Sequence, residues 1–412
     1  MEIEDHMEQT RPLKVVLSAF ACAPDRGSEP GVGWGVLRRL AADHEVWLLT
    51  NAANVPYLRD LGPSVRIIPI DLPRVPRAFQ GNFGLHHVYY FLWQIKTREV
   101  ARRVCREVRP DLIHHLTYVN SWIPSFLGNL GVPFIWSAGA ALTVPAQLRR
   151  TMSPSSRILE ALRNLLVRSI GRVTRKWVGQ QADLILTASP AHSFDRSRTK
   201  IIHLGGLEPS ELHSFPSVAR SPDEVFRICS VGRLVGLKGT HLAIAAVARC
   251  IPIVPNLEFV IVGDGIERKR LEKLARGLGC GEHVRFVGWV DREKVRSWLS
   301  ASNLFLHLSL RELFGYSLLE AMASGVPTIC LALGGPAHFL PSDACVKIQP
   351  GPVEDIVQSS AEAIQSLATM SDERSDLGRR GAEWARDFGS WDRAASEIES
   401  FYREIGAAGV GR

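Results

Sequence analysis

The chain has 412 residues, 46% hydrophobic and 22% charged, which excludes a disordered polymer and exceeds what one hydrophobic core usually serves. The formal net charge of +7 is uneven: residues 1–210 hold 26 Lys and Arg against 17 Asp and Glu, the remainder 23 against 25. The seven cysteines, at 22, 105, 229, 250, 280, 330 and 345, include no Cys-x-x-Cys pair, so a reducing compartment is expected, with neither a zinc site nor a disulfide framework.

The acidic start, Met1 to His6, lacks the apolar segment of a secretory signal, and a cytoplasmic protein is expected. Short apolar runs then alternate with amphipathic stretches, the pattern of parallel sheets covered by helices. In the first half, strands are expected at 13–20, 45–50, 65–70, 112–116, 134–137, 184–188 and 201–204. The first is followed by Arg-Gly-Ser-Glu-Pro-Gly-Val-Gly-Trp-Gly, residues 26–35, read as a glycine loop before a helix over 36–42. Gly31 and Gly33 would let backbone N–H groups approach a phosphate or sugar. A tight turn with Trp34 in the core is the plainer alternative. Glycines at 31, 33 and 35 do not fit Gly-x-Gly-x-x-Gly, which counts against a nicotinamide-dependent dehydrogenase.

Residues 112–148 contain no Lys, Arg, Asp or Glu, enough to span a bilayer. Pro124, Pro133, Pro145, Gly128, Gly131 and Gly139 divide the stretch, so it reads as core: two buried strands with a helix between them. Alternation along the strand sends His114 and Leu116 to one face and His115 to the other. Eight basic residues follow between Arg149 and Lys176 against Glu160 alone, with Leu159, Leu162, Leu165, Leu166 and Ile170 at helical spacing. Such a basic amphipathic segment suits an anionic membrane surface, or is a helix whose arginines are solvated. No aromatic residue interleaves with the arginines before Trp177, which disfavours nucleic acid.

The polar segment 208–224, with Pro209, Pro216 and Pro222, reads as the hinge. Expected domains are 13–207, 208–390 and a terminal helix over 391–407. Strands of the second half are expected at 227–231, 258–262, 284–286, 304–308, 328–331 and 344–348. Two doubly wound α/β domains would thus face each other across a cleft, with ligands at the carboxyl ends of the strands. Arg233 and Lys238 lie just past a strand end and before a helix over 240–250, where two cations would attract an anionic ligand. Gly263, in Val-Gly-Asp-Gly, is a further candidate contact. Near 312, Glu-Leu-Phe-Gly-Tyr-Ser-Leu-Leu-Glu puts Glu312 on a strand-to-helix loop and Glu320 in the first turns of the helix that Gly315 opens. Free N–H groups of Gly315, Tyr316 and Ser317 would bind a phosphate there. Carboxylates on either side can accept hydrogen bonds from sugar hydroxyls.

Glu-x-Phe-Gly-x-x-x-x-Glu-Ala-Met-Ala-x-Gly-x-Pro, from Glu312 to Pro327, resembles the retaining GT-B glycosyltransferases of family 4 type, the glycosyl transferases group 1. Gly232-Arg-Leu-Val-Gly-Leu-Lys-Gly239 is similar to that family's diphosphate loop. Gly27-Ser-Glu-Pro-Gly-Val-Gly-Trp34 resembles a loop in a subset of its members. The resemblance implies a GT-B fold and transfer of a hexose from a UDP- or GDP-sugar to a glycan hydroxyl with retention, the glycan being lipid-linked or a polysaccharide or lipopolysaccharide precursor. It implies catalytic roles for Glu312, Arg233, Lys238 and His115. Gly31, Gly33, Gly263, Phe314, Gly315, Tyr316, Ser317 and Glu320 would contact the nucleotide-sugar. The donor is a substrate, so no cofactor is expected, and without an Asp-x-Asp motif no metal is. The chain departs from the family in having Leu116 where many members carry the second histidine of His-x-His, and in lacking a Glu after Gly334-Gly335 and in residues 137–141. Two other classes remain: a nucleotide-sugar epimerase on the same fold, and a non-catalytic nucleotide-sugar-binding subunit.

Overall fold

In the computed structural model, which describes residues 11–73, 75, 85–118, 120–139, 142–189, 194–213 and 225–409, thirteen described strands form two parallel sheets. The first has the order β3-β2-β1-β4-β5-β6-β7 and the second β10-β9-β8-β11-β12-β13. The first-sheet strands are β1 (Lys14–Ala19), β2 (Glu45–Asn51), β3 (Val65–Ile70), β4 (Leu112–Thr117), β5 (Phe134–Ala138), β6 (Leu184–Thr187) and β7 (Thr199–Ile201). Those of the second are β8 (Phe226–Val231), β9 (Leu257–Val262), β10 (Val284–Gly288), β11 (Leu304–His307), β12 (Thr328–Leu331) and β13 (Val346–Ile348).

Both sheets are buried on two faces, which explains strand sequences that are apolar throughout. In β1, Val15, Leu17 and Ala19 enter one core and Val16 the opposite one; the second sheet likewise separates two cores. Chain order reverses between β1 and β4 and between β8 and β11, so crevices open at the carboxyl ends of those pairs. The helix Trp391–Gly409 leaves the second domain and packs on the first, its Trp391, Ile398 and Tyr402 buried beside Val15, Leu37 and Leu116.

The expected strands are present, with two displaced ends: 201–204 is replaced by β7 at 199–201, and 344–348 shortens to 346–348. Two expectations are corrected. The glycine loop is a helix, Ser28–Asp43, with Gly31, Gly33 and Gly35 inside it. Two of these glycines serve packing: a Cβ on Gly33 would lie 2.3 Å from the Ala21 carbonyl oxygen, and one on Gly35 2.3 Å from the Trp391 ring. The helix expected between β4 and β5 is absent among the described residues, where Pro124, Gly128 and Pro133 leave irregular backbone. Both flanking strands are wholly buried, and among the described residues no helix is long and apolar enough to cross a membrane. Most of the hinge expected at 208–224 lies outside the described residues, as do Ala140 and Ala141. All seven cysteines are free.

Candidate active site

The crevice of the second sheet brings together side chains 74 positions apart. Lys238 follows β8 and Glu312 follows β11, two strands that hydrogen-bond to each other. The Lys238 Nζ donates to Glu312 Oε2 at 2.6 Å, and His307, the last residue of β11, lies 3.2 Å from the same oxygen through Nε2. The carboxylate is only 15% exposed and His307 is 3% exposed. Burial pushes the Glu312 carboxyl up, but Lys238 and His307 outweigh it and hold the group well below the ordinary carboxylate range. Burial lowers the His307 pKa despite its contact with Glu312. The ring is therefore neutral near pH 7 and donates from Nε2 to the carboxylate.

Two helices begin at this crevice, each without a side-chain cap. Thr240–Cys250 follows Gly239 at φ 64°, and Tyr316–Ala323 follows Gly315 at φ 65°, backbone that favours glycine. Their first N–H groups and dipoles create positive potential beside Lys238. The loops are pressed together without room for larger residues. A Cβ on Gly239 would sit 1.9 Å from the Leu308 carbonyl oxygen, and one on Gly335 1.8 Å from that of Leu313. The Leu310 N–H donates to the Leu237 carbonyl at 2.8 Å, and the Gly335 N–H to the Glu312 carbonyl at 3.0 Å.

Other expected site residues are placed differently. Arg233 is exposed beyond the end of β8; with Arg163 and Arg311 it lies within electrostatic reach of Tyr118 of the first domain. Glu320 faces Arg292, whose Nε is 3.4 Å from Oε1, and burial raises its carboxyl in spite of that cation. Arg292 also reaches Glu211 at 2.9 Å and Asp25 of the first domain at 3.4 Å. Gly263 allows backbone to cross backbone, since its Cβ would lie 2.0 Å from the Gly232 carbonyl oxygen. Phe314 and Tyr316 pack against the core of the first domain, so at Tyr316 the N–H is the group offered to the crevice. Ser317 is half-buried in the first turn of its helix.

Neither histidine of β4 joins Glu312. His115 is buried, 3.1 Å from the Tyr90 hydroxyl, and burial pushes its pKa down to about 4. His114 is clasped between the Tyr402 hydroxyl at 2.7 Å and the Ser137 hydroxyl at 2.9 Å. Gly31 and Gly33 lie within the helix after β1. Among the described residues no cluster of three His, Cys, Asp or Glu side chains is arranged to hold a metal ion.

Sequence reasoning missed His307 and Arg292, and noted Gly334-Gly335 only as a departure from the family. A histidine closing an otherwise apolar strand, Leu-Phe-Leu-His, was the available signal for the first.

Residues 214–384 match the family described as "Glycosyl transferases group 1". The match lies within the second half of the chain. The chain is 29% identical over 216 residues to a phosphatidylinositol N-acetylglucosaminyltransferase subunit of Arabidopsis thaliana, covering 50% of this chain and 47% of that protein. It is 34% identical over 165 residues to the lipopolysaccharide core biosynthesis glycosyltransferase LpsE of Rhizobium meliloti, covering 40% and 45%. The chain thus spans somewhat under half the length of these relatives. Among solved structures, sucrose-phosphate synthase of Thermosynechococcus elongatus superimposes with a TM-score of 0.69 at 21% identity, over 96% of this chain and 100% of that one. Anabaena HepE in complex with UDP and glucose gives 0.64 at 18% identity, over 95% and 100%. The architecture is that of the GT-B glycosyltransferases.

Proposed function

We propose that the protein is a retaining glycosyltransferase that moves a hexose from a nucleoside diphosphate sugar to a glycan hydroxyl. The observation that carries this reading is the cluster of half-buried Lys238 and Glu312 with buried His307, between two uncapped helix starts. In the proposed reaction the bond from the anomeric carbon to the diphosphate oxygen breaks, and the bond to the acceptor oxygen forms on the same face. The acceptor proton leaves with the diphosphate or to solvent. Lys238, Arg233 and the two helix N-termini stabilise the negative charge that grows on the leaving diphosphate, the interaction that usually contributes most in such sites. This charge set is proposed to act without a divalent ion or other cofactor. Glu312, kept ionised by Lys238 and His307, accepts hydrogen bonds from the donor sugar and favours positive charge developing at its ring. Glu320 binds the ribose when Arg292 yields to it. The similarity to a lipopolysaccharide core biosynthesis glycosyltransferase and to a phosphatidylinositol N-acetylglucosaminyltransferase subunit supports a lipid-linked glycan or polysaccharide precursor as acceptor, met at the cytoplasmic face of a membrane. The HepE complex supports a UDP-sugar donor, with GDP-sugar the other option.

The test is a thermal-shift screen against UDP, GDP, ADP and dTDP, with and without EDTA, followed by product analysis with the selected sugar donor. A nucleotide at 100 times its Kd stabilises the fold by about 2.7 kcal/mol, a shift of several degrees. The expected result is a selective shift that survives EDTA, with sugar transfer lost in Lys238→Met. Donor conversion without acceptor would instead identify an epimerase, and binding without turnover across an acceptor panel a binding subunit.

A further inference from the structure

The helices Leu85–Val108, Pro154–Arg168 and Ile170–Gln181 carry most of the large apolar side chains exposed among the described residues. Ile158, Leu162 and Leu165 stand on one face of the second helix at 60%, 55% and 63% exposure, and Ile170, Val173 and Trp177 continue the stripe on the third. On the first, Val88, Phe91, Leu92 and Ile95 are exposed at helical spacing. Aromatic contacts join these stripes: the Phe126 ring lies 5.7 Å from Phe91 on one side and 5.7 Å from Trp177 on the other. The polar positions of the second helix face the opposite way. Ser156, Glu160 and Asn164 are buried, and Glu160 pairs with Arg311, the neighbour of Glu312, at 2.5 Å. The patch therefore does not result from a helix turned inside out; its polar face is in use.

On the second and third helices the charge around the patch has one sign, whereas on the first Glu99 and Glu107 are exposed, Glu99 paired with Lys96 at 2.8 Å. Arg157, Arg168, Arg172 and Lys176 are exposed, while from residue 112 to 182 the only Asp or Glu is the buried Glu160. A contiguous apolar surface of this kind on a globular fold marks an interaction site. Apolar residues fringed by cations on in-plane helices match the interface of an anionic bilayer, where hydrocarbon lies beneath phosphate.

We propose that these three helices form one face that docks on an anionic lipid bilayer. Phe91, Ile95, Leu162, Leu165, Val173 and Trp177 insert among the acyl chains, and Arg157, Arg168, Arg172 and Lys176 lie at the phosphates. Solvated arginines alone do not account for the apolar stripe of segment 149–176 or for its continuation onto Leu85–Val108. Exposure and charge carry this assignment independently of sugar transfer, though it fits an acceptor held at a membrane. The docking face and the loop of Glu312 lie on opposite sides of one helix, about 10 Å thick.

Sedimentation of the full chain with vesicles of phosphatidylcholine alone, and of phosphatidylcholine with phosphatidylglycerol, tests this. The expected result is binding to the mixed vesicles that weakens with salt. Leu162→Glu and Val173→Glu should each lower the partition coefficient about tenfold or more, and Arg168→Ala and Arg172→Ala roughly fivefold each. Circular dichroism and melting temperature are expected to match the parent, because all four side chains are exposed. Equal binding to both vesicle types, no binding to either, or binding indifferent to Leu162→Glu and Val173→Glu would overturn the proposal. So would a solution dimer, seen by light scattering, that Leu162→Glu dissociates, since a second copy would then cover the face. Vesicle binding is read without donor or acceptor, so its failure is separate from any failure of the transferase reading.

Discussion

Replacing Lys238 by methionine keeps most of the side-chain volume and removes the cation 2.6 Å from Glu312. The carboxylate, 15% exposed, is left with His307 as its charge-stabilising partner. Breaking a buried ion pair from one side costs about 3–5 kcal/mol; because Lys238 is 26% exposed, the lower end, about 3 kcal/mol, applies. At about 2–4 °C per kcal/mol for a domain of this size, the second domain should melt about 6–12 °C lower at pH 7. The sign with pH follows from the depressed carboxyl. Its contribution is fully present above the unfolded pKa, about 4.3, and is lost as pH falls through the lower folded value. The gap between parent and variant should therefore narrow as pH falls below about 4. A double-mutant cycle with Glu312→Gln, measured by scanning calorimetry and urea titration, should give a coupling of about 1.5–3 kcal/mol at pH 7. Coupling below about 0.5 kcal/mol, or a gap that does not narrow below about pH 4, would refute the argument that Lys238 keeps Glu312 ionised. Sugar transfer by the variant should fall about 10²–10³-fold.

Gly335→Ala puts a methyl group 1.8 Å from the Leu313 carbonyl oxygen; the loop must move, and turnover should drop at least tenfold while the secondary structure, read by circular dichroism, stays the same. Tyr402→Phe removes the hydroxyl 2.7 Å from His114 Nδ1 and should destabilise the first domain by about 1–2 kcal/mol in urea titration, with kcat unchanged if His114 is structural. Glu160→Gln leaves the half-buried Arg311 without its charged partner and should lower stability by about 2–3 kcal/mol; an unchanged urea midpoint would show that this contact between domains contributes nothing.

Much of the fold was legible because its signals are local. Apolar runs bounded by Gly and Pro marked the strands, and the helix Thr240–Cys250 falls where Gly239 and the apolar periodicity place it. The Glu312–Glu320 segment was likewise readable as strand, turn and helix, since Gly315 at positive φ and the stop at Gly325 are properties of short sequence. Misreadings arose where one sequence pattern serves two physical ends. Glycines at 31, 33 and 35 suit a loop that approaches phosphate, and equally a helix pressed against Ala21 and Trp391. Only the neighbours distinguish these, and they lie just past β1 and in the terminal helix.

Local signals in the chain were enough to set the two parallel sheets, the positions of most strands and helices, and the loops expected to carry the chemistry. Folding was needed to put β8 beside β11, and with that to bring Lys238 and His307 against Glu312. It also set His114 against Tyr402 and joined the apolar stripes of Leu85–Val108 and Ile170–Gln181 through Phe126. The physical reason is that periodicity and turn chemistry act over a few residues, whereas the ionisation and burial of a side chain depend on whatever distant segment the fold packs against it.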